Sequence, residues 1–135
     1  MVMLFEVNLV AVVAAAVASM VLGMIWYGPL FGKKWMELTG KKMDGKKEGM
    51  MKSYAIMFIG SLVAACVLGF FVRTAGALDI MNGALVGVTA WLGFVATVTL
   101  GMVLWDGKPW SLYVLNNGYQ LINFAIMGAI LASMG

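Results

Sequence analysis

The sequence predicts an all-α fold. We expect a four-transmembrane-helix bundle, with a short cytoplasmic interfacial amphipathic helix between the first and second spans. Three observations lead there. Of the 135 residues, 63% are hydrophobic and only 11% charged, whereas a soluble domain is about a quarter charged. Mean hydropathy is +0.96. The apolar residues gather in four segments, 7–27, 53–72, 80–105 and 111–134, each near the roughly 20 residues a helix needs to cross a hydrocarbon core of about 30 Å. Backbone groups in hydrocarbon have no water to bond, so such segments must be helical. The whole chain, 1–135, reads as one integral membrane domain.

The first span has no basic residue before it, and its only early charge is Glu6. Its apolar run also exceeds the roughly 7–15 residues of a signal-peptide core, so it is read as a retained span. Gly28 and Pro29 are expected to stop it. They open a basic loop over 28–52, whose start "GPLFGKKWMELTGKK" has helical periodicity. Phe31, Trp35 and Leu38 fall on one side, and Lys33, Lys34, Glu37 and Lys41 on the other. That pattern suits a helix lying on a membrane surface, its lysines facing anionic lipid headgroups. "MDGKKEG" then reads as a flexible linker.

"RTAGALDI" and "DGKPW" are short connections, so each joins antiparallel neighbours, and the second has ordinary turn chemistry. The third span is the longest, which suggests tilt; Asp79 or Asn82 is the candidate for its N-cap. Eight basic residues (Lys33, Lys34, Lys41, Lys42, Lys46, Lys47, Lys52 and Lys108) lie in the first and third loops, against Arg73 alone in the second. The positive-inside rule then places those two loops in the cytoplasm and both termini outside, in a cell inner (cytoplasmic) membrane. Trp26, Tyr27, Trp35, Trp105 and Trp110 sit at the same boundary and read as an interface belt.

Composition removes several function classes. The net charge of +3 could suggest nucleic acid, but seven of the nine basic residues are lysines crowded into 33–52 beside apolar spans. No nucleic-acid partner is expected. The chain has no histidine, which removes imidazole metal sites, Ser-His hydrolysis and imidazole proton shuttles. Its single cysteine, Cys66, lies in an apolar run and reads as an inert thiol. The thirteen methionines are scattered and read as core filler rather than a copper site. We expect no metal, no cofactor and no enzymatic activity. No carboxylate lies in the middle of a span, which argues against a proton-coupled exchanger.

The exception to this oiliness is "VLNNGYQLIN" in the fourth span. At 3.6 residues per turn, Asn116, Tyr119, Gln120 and Asn123 share one arc of about 100°, with Asn117 outside it. Lipid exposure of such groups is disfavoured, so the arc must face other helices or water. Two readings stay open. The arc lines a site or path for a small solute or ion, or its groups only glue helices together, with Ser19, Ser61, Thr89, Thr97 and Thr99 as partners.

Small residues recur at fourfold spacing: Ala11, Ala15, Ser19 and Gly23; Ser61, Ala65 and Gly69; Gly83 and Gly87; Gly93, Thr97 and Gly101. Such rows let helices approach closely. Their number exceeds what one four-helix bundle needs, which predicts a homo-oligomer. "LGMIWYG" and "LGMVLWDG" close the first and third spans, a short internal echo of the kind interface chemistry also produces.

"WYGPLFGKKWM", "AWLGFVATVTLG" and "NNGYQLINFAIMGAIL" resemble stretches of the bacterial integral membrane proteins grouped as domain of unknown function 1761. The resemblance covers nearly the whole chain, its first and third stretches being the more distinctive. It implies a small four-span bundle and carries over no catalytic residue. "KKMDGKKEG" in the basic loop departs from the family's pattern. Taken together, these readings predict a homo-oligomeric channel or transporter-like protein that binds or passes a small solute or ion. The alternative is a non-catalytic membrane scaffold or accessory subunit.

Overall fold

The first helix begins where a side chain can satisfy its free backbone donors. In the computed structural model, which describes residues 8–39 and 47–134, Asn8 caps α1 (Leu9–Ile25) by accepting from the Val10 and Ala11 amides at 3.0 and 3.4 Å. Its Nδ2 donates to the Met134 carbonyl at 2.8 Å, which ties the start of α1 to the far end of the chain. Val7, Glu6, Lys41, Lys42, Lys46 and most of the predicted linker lie outside the described residues.

Gly28 and Pro29 do not stop the helix, contrary to expectation. It runs on through a π turn, Trp26–Leu30, that contains Pro29. The wider turn lets the Phe31 amide reach back five residues to the Trp26 carbonyl, 2.8 Å away. Proline has no amide to contribute, and a widened turn is one way a helix absorbs that loss. A short helix α2 (Gly32–Thr39) follows at once. The close turn requires glycine at 32, since a Cβ there would lie 2.7 Å from the Tyr27 carbonyl oxygen.

Helix α3 (Lys47–Thr74) starts six residues before the predicted span. Gly76, with φ of 71°, turns the chain toward α4 (Ile80–Trp91). Asp79 is the cap of α4, accepting from the Asn82 amide at 3.1 Å. The predicted third span is continuous in position but not in geometry. After α4 come a π turn (Leu92–Ala96), a 3-10 turn (Val98–Leu100) and α5 (Gly101–Leu104). Thr97 and Thr99 each donate to the carbonyl four residues back, on Gly93 and Val95, a habit that competes with the regular ladder and bends helices. Gly107, also with φ of 71°, makes the turn into α6 (Trp110–Met134).

All described elements are helical. Three helical stretches are long and apolar enough to cross a membrane: Leu9–Leu30, Met51–Thr74 and Ile80–Leu104. Helix α6 has the length, at 25 residues, but its amides dilute its apolar content. It is instead the hub, packing against α1, α3 and α4. The core joins Ala11, Val12 and Ala15 of α1, Ala65, Leu68 and Val72 of α3, Ala77, and Met127, Leu131 and Ala132 of α6.

The small-residue rows are largely used inside one chain. Ala15 and Ser19 are buried, and Gly23 faces the Tyr119 ring. Gly83 and Gly87 abut the backbone of α6 at Gly128 and Phe124. Helix α6 therefore has small residues of its own at the contact, Gly128 and Ala132, which the sequence reading passed over. Gly101 sits near Trp105 at half-burial, while Gly93 and Thr97 face outward, Gly93 with open space beside it.

Candidate functional site

The polar stretch of α6 is turned into the protein. Asn117, Tyr119 and Asn123 are buried, and Asn116 and Gln120 half-buried, while the apolar Val114, Ile122 and Ile126 are exposed. This inverts the pattern of a soluble helix and suits a helix surrounded by hydrocarbon.

On its α1 side the arc is tied by hydrogen bonds and rings. Tyr119 Oη donates to the Ser19 carbonyl at 3.0 Å and lies 3.4 Å from Ser19 Oγ. Tyr27 Oη donates to Asn116 Oδ1 at 2.7 Å. Trp26 Nε1 donates to the Leu115 carbonyl at 3.1 Å. Tyr27 meets Tyr119 edge-on at 5.4 Å between ring centres, and Trp26 packs on Phe31 at 4.6 Å. Trp26 and Tyr27, read as interface residues, are thus half-buried and spend their polar ends on α6. Trp35 sits edge-on to Tyr27 at 6.3 Å, and Trp105 and Trp110 are exposed.

The α4 side is equally specific. Asn117 Nδ2 donates to Thr99 Oγ1 at 3.0 Å and to the Tyr113 carbonyl at 3.1 Å. Tyr113 Oη donates to the Ala96 carbonyl at 2.6 Å, where the π turn gives way to the 3-10 turn. Of the five hydroxyl partners anticipated, Ser19 and Thr99 bond to α6. Thr89 and Thr97 turn back on their own helix and are exposed, and Ser61 is half-buried.

Two of the four arc residues remain. Asn123 Nδ2 donates to Gln120 Oε1 at 3.2 Å. Asn123 is 5% exposed, and its Oδ1 is buried without a hydrogen-bond partner among the described residues. Exchanging the ends of both amides would move the orphan from oxygen to nitrogen without removing it. Trp91 Nε1 is the other buried polar atom in this state. Trp91 continues the stripe of Gly83 and Gly87 on α4. Those glycines oppose Gly128 and Phe124 on the antiparallel α6, so one turn further along Trp91 comes level with Gln120. An acceptor on α6 and a donor on the facing helix are thus left over about one turn apart. Sequence reasoning missed Trp91; its place four residues after Gly87 was the available signal.

Among the described residues, no charged side chain is buried beside this arc. Glu37, Arg73, Asp79, Asp106 and Lys108 are all exposed. No group of three or more metal-ligating side chains forms among the described residues. A separate cleft of about 770 Å³ opens between the end of α3 and the outer face of α4, away from the arc.

Comparison with curated proteins and with solved structures gives no match in either. A family model does match, over residues 10–132, and so takes in every element described above except the chain's extreme ends. The chain belongs to the family described as Protein of unknown function (DUF1761), the one its sequence stretches resemble.

Proposed function

We propose that this is a four-span protein of the inner membrane that binds a small solute or ion inside its helices and passes it across, as a channel or transporter does. In this reading α6 is the fourth span, tolerated despite its amides because they face protein. α2 lies on the cytoplasmic surface with Lys33 and Lys34 toward anionic headgroups, and both termini are outside. The active form is a homo-oligomer. The chain is not an enzyme.

The observation that carries the reading is Asn123: a buried amide whose oxygen has no hydrogen-bond partner among the described residues. Such a group costs about 1–3 kcal/mol, and native proteins keep these groups where something else completes them. The binding site therefore narrows from the whole arc to Gln120 and Asn123, with Asn116 and Tyr119 holding α1 in place around them.

The rival is a scaffold whose amides serve assembly alone. The Tyr27–Asn116, Tyr119–Ser19 and Asn117–Thr99 bonds favour it. The Gln120→Leu, Asn123→Leu variant discriminates, because it spares all three. Its oligomer mass in detergent is measured beside solute flux in liposomes. Unchanged mass with flux lost supports a solute site. Flux absent from the parent protein leaves the scaffold.

A further inference from the structure

We infer that the cleft between α3 and α4 is a lipid site. It seats one acyl chain of a zwitterionic, amine-bearing phospholipid such as phosphatidylethanolamine, head toward the Arg73–Asp79 turn. This site is distinct from the α6 amides and lies at the end of the protein opposite the lysine-rich loop.

The cleft has a polar end and an apolar length. Thr74, the Ala75–Ala77 backbone and Asn82 form one end, beside the start of α4. From there Leu85, Val86, Ala90 and Gly93 line it as far as Phe94, whose ring stacks on Phe71 at 6.0 Å. From Asn82 to Phe94 the helix rises about 18 Å, close to the depth of one leaflet in a core about 30 Å thick. The cleft thus begins where a span ends and closes near the bilayer middle, as a single chain of one leaflet does. Gly93 leaves its floor open, since a Cβ there would meet nothing within 4 Å.

Charge selects the head. Arg73 lies in the last turn of α3 and Asp79 caps α4, and both are exposed on either side of the turn that forms the polar end. A guanidinium suits the phosphate and a carboxylate suits the ammonium. A purely anionic head would leave the carboxylate facing like charge. The cleft's own walls, Leu85 and Phe94, are exposed at 55% and 64%, so in a bilayer a chain enters sideways without any helix moving.

The test is native mass spectrometry of the purified full-length chain, delipidated and titrated with phosphatidylethanolamine, phosphatidylglycerol or phosphatidylcholine. One phosphatidylethanolamine per chain is expected, retained at least tenfold more tightly than phosphatidylglycerol. Gly93→Leu fills the floor without touching the fold and is expected to lose the bound lipid. Asp79→Asn keeps the groove and the cap of α4, and is expected to lose the head preference. Equal lipid retention by Gly93→Leu overturns the proposal. So does a parent dimer that Gly93→Leu dissociates, because a second copy would then occupy the cleft.

Discussion

Gly87→Ala is the sharpest probe of how α4 and α6 meet. A Cβ at this position would collide with the Phe124 carbonyl oxygen, lie 2.6 Å from its carbon and 3.2 Å from the Ala125 nitrogen. Carbon contacts are optimal near 3.5–4.0 Å, so the two backbones must part by about 1 Å. Neither side can yield by rotating a side chain, because both surfaces are main chain. Overpacking of this kind costs about 1–3 kcal/mol, and the backbone character of the contact places the cost at the upper end. Gly60→Ala is the matched control. It lies on α3 with nothing within 4 Å of its new Cβ and should be neutral or stabilising by up to about 1 kcal/mol. Unfolding of both variants in mixed detergent micelles, against the parent, gives the two numbers. Equal stability of Gly87→Ala and Gly60→Ala would refute the close approach.

Three further outcomes are expected. Tyr119→Phe removes the hydroxyl bonded to Ser19 and should cost about 1 kcal/mol in the same unfolding assay, within the range for hydrogen bonds between membrane helices. Asn117→Leu should cost less, about 0.5 kcal/mol, because Thr99 keeps its bond to the Val95 carbonyl and is not stranded. Single cysteines at Lys33 and Lys108 should react with a membrane-impermeant maleimide only in opened or inverted vesicles, and one at Arg73 already in intact right-side-out cells; the reverse pattern would invert the proposed topology.

The helices were legible because hydrocarbon enforces them: a long apolar run has one backbone solution, and the boundaries at Ile80 and Met134 follow from it. The break across Leu92–Leu100 was not legible. It comes from Thr97 and Thr99 bonding their own carbonyls and from Tyr113 reaching Ala96, choices that depend on which neighbour is present. The extension of α1 through Pro29 was missed because proline alone signals a stop, whereas a π turn absorbs it. Of the site, the inward face of the amides could be read from periodicity. Which amides were already spoken for could not. Tyr27 and Trp26 look like interface aromatics by position, yet they use up Asn116 and a carbonyl beside it, and only the packed helices reveal that Asn123 is left over.

The central claim is that α6 lies in a membrane with its hydrogen-bonding side chains turned away from the acyl chains. Nitroxide labels on single cysteines at 119, 122, 123 and 126, in proteoliposomes, test it through collision with dissolved oxygen, which concentrates in hydrocarbon. Ile122 and Ile126 are 39% and 37% exposed, and Tyr119 and Asn123 8% and 5%. Labels at 122 and 126 should collide with oxygen several times more often than those at 119 and 123. A label at 123 as accessible to oxygen as one at 122 would contradict the account.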